Sequence, residues 1–176
     1  MLKAAQILNI PILATTQQSS KLGPACPELN LDTPSGYATA VHSDKTLFSM
    51  LTPSVQKALS SITYPAQGQT TTSSQPLSCV ILGIESHICV TQTTLDLLSK
   101  GHKVYILADG VSSCNKEEIP IALARLRAEG AIVTTSESWI YECMGDASIA
   151  EFRDIAKLVR ETKEETSKSL EVLCKI

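Results

Sequence analysis

Apolar and polar positions alternate in blocks along the second half of the chain. Short apolar runs, Leu77 to Leu82, Lys103 to Ala108 and Ala131 to Thr134, are separated by stretches of helical spacing. Ile88, Thr91, Leu95 and Leu98 recur every three or four residues before Gly101, and Leu123 and Leu126 do so before Gly130. Strand, helix, strand, helix, strand predicts right-handed crossovers and a parallel sheet covered by helices on both faces. The first half is less regular. Leu2 to Leu8 reads as the last turns of a helix, Ile10 to Thr15 as a buried strand and Pro53 to Ile62 as a short helix. Between Gln17 and Ser49, Gly23, Pro24, Pro27, Pro34 and Gly36 break every period, which predicts a long loop. Residues 64–76 are polar and of low complexity, a surface insert. Glu151 to Arg160 is amphipathic. Residues 162–176 alternate charges, as a solvated helix or tail does.

Composition narrows the partners. The 176 residues, 43% hydrophobic, suit one domain with an ordinary core. A net charge of -3 with no basic cluster argues against nucleic acid or an anionic membrane surface. No apolar run reaches the roughly 18 residues of a membrane span, and the expected location is cytoplasmic. Six scattered cysteines, none in a C-x-x-C pair, read as reduced thiols, and His42, His87 and His102 show no metal-ligand spacing with them. No cofactor or metal is expected.

Ligands of open α/β sheets sit beyond the carboxyl ends of the strands. Cys89 lies near one such end, in Gly83-Ile84-Glu85-Ser86-His87-Ile88-Cys89-Val90. Gly83 permits a tight turn, and Ser86 as N-cap would put Cys89 in the first helical turn, where partial positive charge favours thiolate. Backbone N–H groups at such a turn could bind an oxyanion. Against this stands the frequency with which cysteine is simply buried packing. His87, at an adjacent helical position, points away from Cys89. Asp109 with Gly110 reads as turn and cap chemistry, and Lys45, in a polar loop, reads as solvated surface.

The Cys89 segment, continued by Thr93-Thr94-Leu95-Asp96-Leu97-Leu98, resembles the cysteine segment of the isochorismatase-like hydrolase superfamily, and within it that of the eukaryotic isochorismatase domain-containing proteins. Ile10-Pro11-Ile12-Leu13, Lys45-Thr46-Leu47-Phe48-Ser49-Met50, Asp109-Gly110-Val111-Ser112-Ser113 and Gly145-Asp146-Ala147 agree in order, so the resemblance covers roughly residues 1–161. It implies a three-layer α/β/α fold with a mostly parallel, Rossmann-like sheet. It also implies a site in which an Asp takes the thiol proton, Lys45 supports the charge and Cys89 attacks a carbonyl or amide carbon. By position, the Ile84–Glu85 bond would be the family's cis peptide, and the N–H groups of Glu85 and Cys89 its oxyanion hole. The nicotinamidase branch binds a metal after its second strand, but Thr15 to Ser20 here contains neither Asp nor His.

The departure is at the front. The family Asp ends a first strand that lies inside the sheet, between the strands matched here by Ile12 to Thr15 and Leu77 to Leu82. The chain starts at Met1 within the following helix, and no Asp precedes Asp32. The resemblance therefore implies a domain truncated at the N-terminus, through a misplaced start or through decay. Asp44, beside Lys45, is a poor substitute. The expected function is a cysteine hydrolase of a small amide, imide or ester-like substrate, impaired without the Asp. The alternatives are a non-catalytic relative serving ligand binding or oligomer contacts, and a thiol redox protein. A small-molecule substrate and a homo-oligomer are the expected partners.

Overall fold

The computed structural model describes residues 1–62 and 75–174. Most of the polar insert predicted over 64–76 therefore lies outside the described residues. The elements run α1 (Leu2–Ile7), β1 (Leu13–Gln17), α2 (Ser19–Leu22), a 3-10 turn (Pro27–Leu29), β2 (Val41–Lys45) and α3 (Pro53–Ser61). They continue with β3 (Ser78–Gly83), a π-helical turn (Ser86–Val90), α4 (Thr91–Ser99), β4 (Lys103–Val111), α5 (Glu118–Ala128), β5 (Ile132–Thr134), α6 (Ser136–Met144), α7 (Phe152–Glu161) and α8 (Lys163–Leu173).

Local chemistry explains most boundaries. The Thr52 hydroxyl accepts from Val55 N at 3.4 Å and Pro53 occupies the first helical position of α3, where its missing N–H costs nothing. Pro120 is tolerated in the first turn of α5 for the same reason. The α6 helix opens on Thr135, whose hydroxyl accepts from Ser138 N, and closes on Gly145 at φ 66°.

All strand pairs are parallel. Alternate residues of β4 feed opposite faces. Val104, Ile106 and Ala108 pack with Ile81, Leu97 and Leu123 on one face, while Tyr105 and Leu107 pack with Trp139, Ile140 and Ile155 on the other. The result is the three-layer α/β/α arrangement. Val104 to Ala108 are each at most 4% exposed, as a strand covered on both faces should be.

The sheet is divided. One parallel pair, β1-β2, and one parallel triplet, β3-β4-β5, are not hydrogen-bonded to each other. All five residues of β1 are only half-buried, and Leu82 of β3 is 39% exposed. A cavity of about 210 Å³ separates the two parts, lined by Leu13 and Ile81 from the strands, Ala5 and Trp139 from one helical layer and Val55 and Leu97 from the other.

Two expectations shift. The first strand begins at Leu13 rather than Ile10, since Pro11 has no N–H to give a ladder. The region 17–49 is not all loop: β2 pairs with β1 from Leu13↔Val41 to Gln17↔Lys45. Only Val41 of its five residues is apolar, so no period betrays it. Among the described residues no helix is long and apolar enough to cross a membrane.

Candidate active site

Cys89 is positioned by the end of β3. Gly83 takes φ 120°, a conformation open to glycine and strained for other residues, and the Ile84–Glu85 peptide that follows is cis. The chain then enters the π-helical turn and continues into α4. Ser86 does not cap this helix as its position suggested. Its N–H donates to Ser112 O (2.8 Å) and Ser113 Oγ (3.1 Å) and its hydroxyl to Ser112 O (2.9 Å), so it ties the turn to the end of β4 instead. The N–H groups of Ile88 and Val90 donate to Glu85 O, and the Glu85 carboxylate accepts from Cys114 N. Cys89 is half-buried on this turn.

Lys45 ends β2 and is 7% exposed, where a polar-loop lysine would be solvated. Strand alternation turns it to the opposite side from Asp44. Its ammonium donates to Gln17 Oε1, to Leu47 O (2.9 Å) and Phe48 O (3.1 Å), and reaches Cys89 Sγ at 3.9 Å. Asp44 is engaged elsewhere, accepting from Thr16 Oγ1 (3.0 Å) and Ser19 N (2.9 Å). The Ser19 backbone N–H, and then the Thr16 hydroxyl, hold its carboxyl below the ordinary range.

Two residues that sequence reasoning passed over belong to this arrangement. Gln17 accepts from Lys45 and donates to Thr46 O (2.9 Å), fixing both ends of the turn after β2. Thr93, 2% exposed, donates to Cys89 O (2.6 Å) and accepts from Met50 N (2.9 Å), joining the helix of Cys89 to the segment after Lys45. Both are ordinary residue types, and only the strand β2 and the helix face of Thr93 could have signalled them. His87 bonds Ser113 Oγ through Nδ1 (3.0 Å). Asp109 accepts from Ser136 N (2.8 Å) and Ser136 Oγ, which makes it the anchor of the α6 N-terminus.

Cys89 and Lys45 open on a cavity of about 900 Å³ that begins between β1 and β3 and reaches Asp109, α6 and α8. Among the described residues, no carboxylate hydrogen-bonds Cys89 Sγ, and no group of three His, Cys, Asp or Glu side chains could hold a metal ion.

Comparison with known proteins agrees with this architecture. Residues 1–138 match the Isochorismatase domain. A protein of Phytophthora sojae named secreted isochorismatase effector Isc1 is 40% identical over 161 residues, covering 92% of this chain and 71% of that protein. Isochorismatase domain-containing protein 2 of Xenopus laevis is 38% identical over 161 residues, 92% of this chain and 70% of its own length. Among solved structures, the MAR1 ribonuclease of Caenorhabditis elegans superposes with a TM-score of 0.75 at 33% identity, over 90% of this chain and 73% of that one. The chain therefore belongs to the isochorismatase domain family of isochorismatase-like hydrolases.

Proposed function

We propose that Cys89 is the nucleophile of a cysteine hydrolase acting on a small amide, imide or ester-like substrate through a thioester. The observation that carries this is the setting of Lys45. Lysine is almost never this buried without a partner. Of the four groups its ammonium touches, three are neutral oxygens, and Cys89 Sγ alone can carry negative charge. An ammonium so placed supports a thiolate at the mouth of a cavity.

In the reaction the thiolate forms a C–S bond to the substrate carbonyl carbon while the carbonyl electrons move to oxygen, where the N–H groups of Glu85 and Cys89 receive them. Collapse breaks the bond to the amine or alkoxide, which leaves with a proton. Water then cleaves the thioester, releasing the acid and restoring the thiol. The proton transfers need a base beside Sγ, and the carboxylates described above are committed elsewhere or out of reach. We assign that role to a carboxylate at the C-terminal end of a strand filling the division between β1 and β3. Each flanking strand belongs to a parallel ladder, and the cavity between them meets the site of Cys89 and Lys45.

The name of the C. elegans neighbour suggests RNA as a second substrate class. The cavity lining disfavours it: the carboxylates of Glu28, Asp109, Glu137 and Glu165 outnumber the ammonium groups of Lys3 and Lys45, a balance unfavourable to a polyphosphate. The test is a protein extended ahead of Met1 by a strand ending in Asp-x-Gln, assayed against small amides, imides and esters and against RNA. Hydrolysis of a small substrate that Cys89→Ala abolishes supports the reading. Turnover surviving Cys89→Ala refutes the mechanism, and ligand binding with no turnover favours a non-catalytic relative.

A further inference from the structure

The last helix crosses the candidate site. Leu158 and Val159 of α7 pack with the apolar cluster around Tyr105, Leu107 and Trp139, whereas Leu173 and Cys174 at the far end of α8 pack against the cluster on the other face of the sheet. The α8 helix thus passes from one helical layer to the other, and it does so against β4. On the way it shares the cavity of Cys89 and Lys45 through Thr162, Glu165, Thr166 and Ser169. Both α7 and α8 lie beyond the residues matched to the family domain.

The inward face of α8 changes character along its length. Half-buried positions fall at Thr162, Thr166, Ser169, Leu170 and Leu173, a helical spacing. They are leucine where the helix nears the core and hydroxyl-bearing where it faces the cavity. Threonine and serine are poorer helix formers than leucine, so helix stability does not explain the choice. The Thr162 hydroxyl donates to Leu158 O (3.0 Å) and that of Ser169 to Glu165 O (3.0 Å). Each therefore offers the cavity lone pairs rather than a proton. The carboxylates of Glu165 and Glu137 line the same space and add further acceptors.

We infer that α8 is the roof of the Cys89 site, and that its acceptors, the Thr162 and Ser169 hydroxyls on either side of Thr166 and the Glu165 carboxylate, contact the part of the substrate away from the scissile carbonyl. Such a wall selects neutral or cationic substrates bearing N–H groups and rejects carboxylates. The substrate assignment rests on the nucleophile reading of Cys89; the position of the roof does not.

The two are tested apart, on the full chain. Cys89 is reacted with trimethylammonium-ethyl and with sulfonatoethyl methanethiosulfonate, probes of similar size and opposite charge, with exposed Cys143, which does not line the cavity, as internal reference. Glu165→Lys should lower the cation-to-anion rate ratio at Cys89 by about threefold or more and leave it unchanged at Cys143. Thr166→Phe should slow both probes at Cys89 by about tenfold through steric filling, with Thr166→Ser behaving as the parent. An unchanged ratio in Glu165→Lys overturns the selectivity. Should Cys89 react with neither probe, the nucleophile reading falls, and the roof is judged by hydrogen exchange alone. Thr166→Pro, which breaks α8, should speed exchange of amides 83–90 while α5 keeps its protection. Unchanged exchange at 83–90 overturns the roof.

Discussion

Replacing Lys45 with methionine keeps an unbranched apolar stem and deletes the ammonium. Its charge lies 3.9 Å from Cys89 Sγ. Two unit charges about 4 Å apart interact by roughly 4 kcal/mol at an effective dielectric of 20, an upper bound on what the lysine can contribute to a thiolate. Cys89 is half-buried and open to the cavity, so solvent screens much of that, and alkylation at neutral pH should slow by about tenfold or more. The substitution also strips donors from Gln17 Oε1, Leu47 O and Phe48 O. At about 1–3 kcal/mol for each acceptor left unsatisfied, and with water able to enter from the cavity, the total should be about 3 kcal/mol. The assay is iodoacetamide labelling read by peptide mass spectrometry, beside urea unfolding of the same variant. Lys45→Arg, which keeps the charge in another shape, should label closer to the parent than Lys45→Met. A Lys45→Met protein that labels at the parental rate and unfolds at the parental midpoint would refute the reasoning.

Burial pushes the Cys79 thiol up to about 11, so Cys79 should stay unlabelled in the native protein at pH 8 and label fully in urea; rapid native labelling would contradict its placement in the core. The carboxyls of Asp32, Asp44 and Asp146 all lie below their ordinary value of 3.8, that of Asp32 because the Thr39 backbone N–H, and then His42, hold it. Depressed carboxyls contribute stability that is complete above that value and is lost as pH falls through the lower folded one, so unfolding midpoints should hold above about pH 5 and drop below about pH 4. A midpoint flat down to pH 3 would remove these contacts from the account. Leu22, Leu29, Leu47 and Phe48 are 44–72% exposed on the surface around residues 17–49, and with the 136–144 helix they are proposed as a homo-oligomer contact. Sedimentation at micromolar concentration should show a species larger than a monomer, and a lone monomer would end that proposal.

The regular half of the chain was legible because β3, β4, α4 and α5 bury whole faces, and burial of a face writes a period into the sequence. What escaped was decided by tertiary contacts. The β2 strand carries one apolar residue and earns its place by pairing with β1 and delivering Lys45 inward. The charge alternation of α8 marks exposed positions and hides an inner face of hydroxyls, since threonine and serine are equally at home in water. Ser86 was misassigned as a cap because N-cap preference is local, while Ser112 and Ser113, 26 and 27 residues away, supply its real partners. Lys45 shows the limit most clearly: residue type and neighbours indicated a solvated side chain, and only the resemblance to a known family singled it out before the fold buried it beside Cys89.

The central claim is that Cys89 is a reactive nucleophile and not packing. The most direct measurement is the rate at which each of the six cysteines of the native chain reacts with substoichiometric iodoacetamide at neutral pH, resolved by peptide mass spectrometry. The account predicts that half-buried Cys89 outpaces even the exposed Cys26, Cys114 and Cys143. A Cys89 that lags behind them and labels as slowly as Cys79 would contradict it.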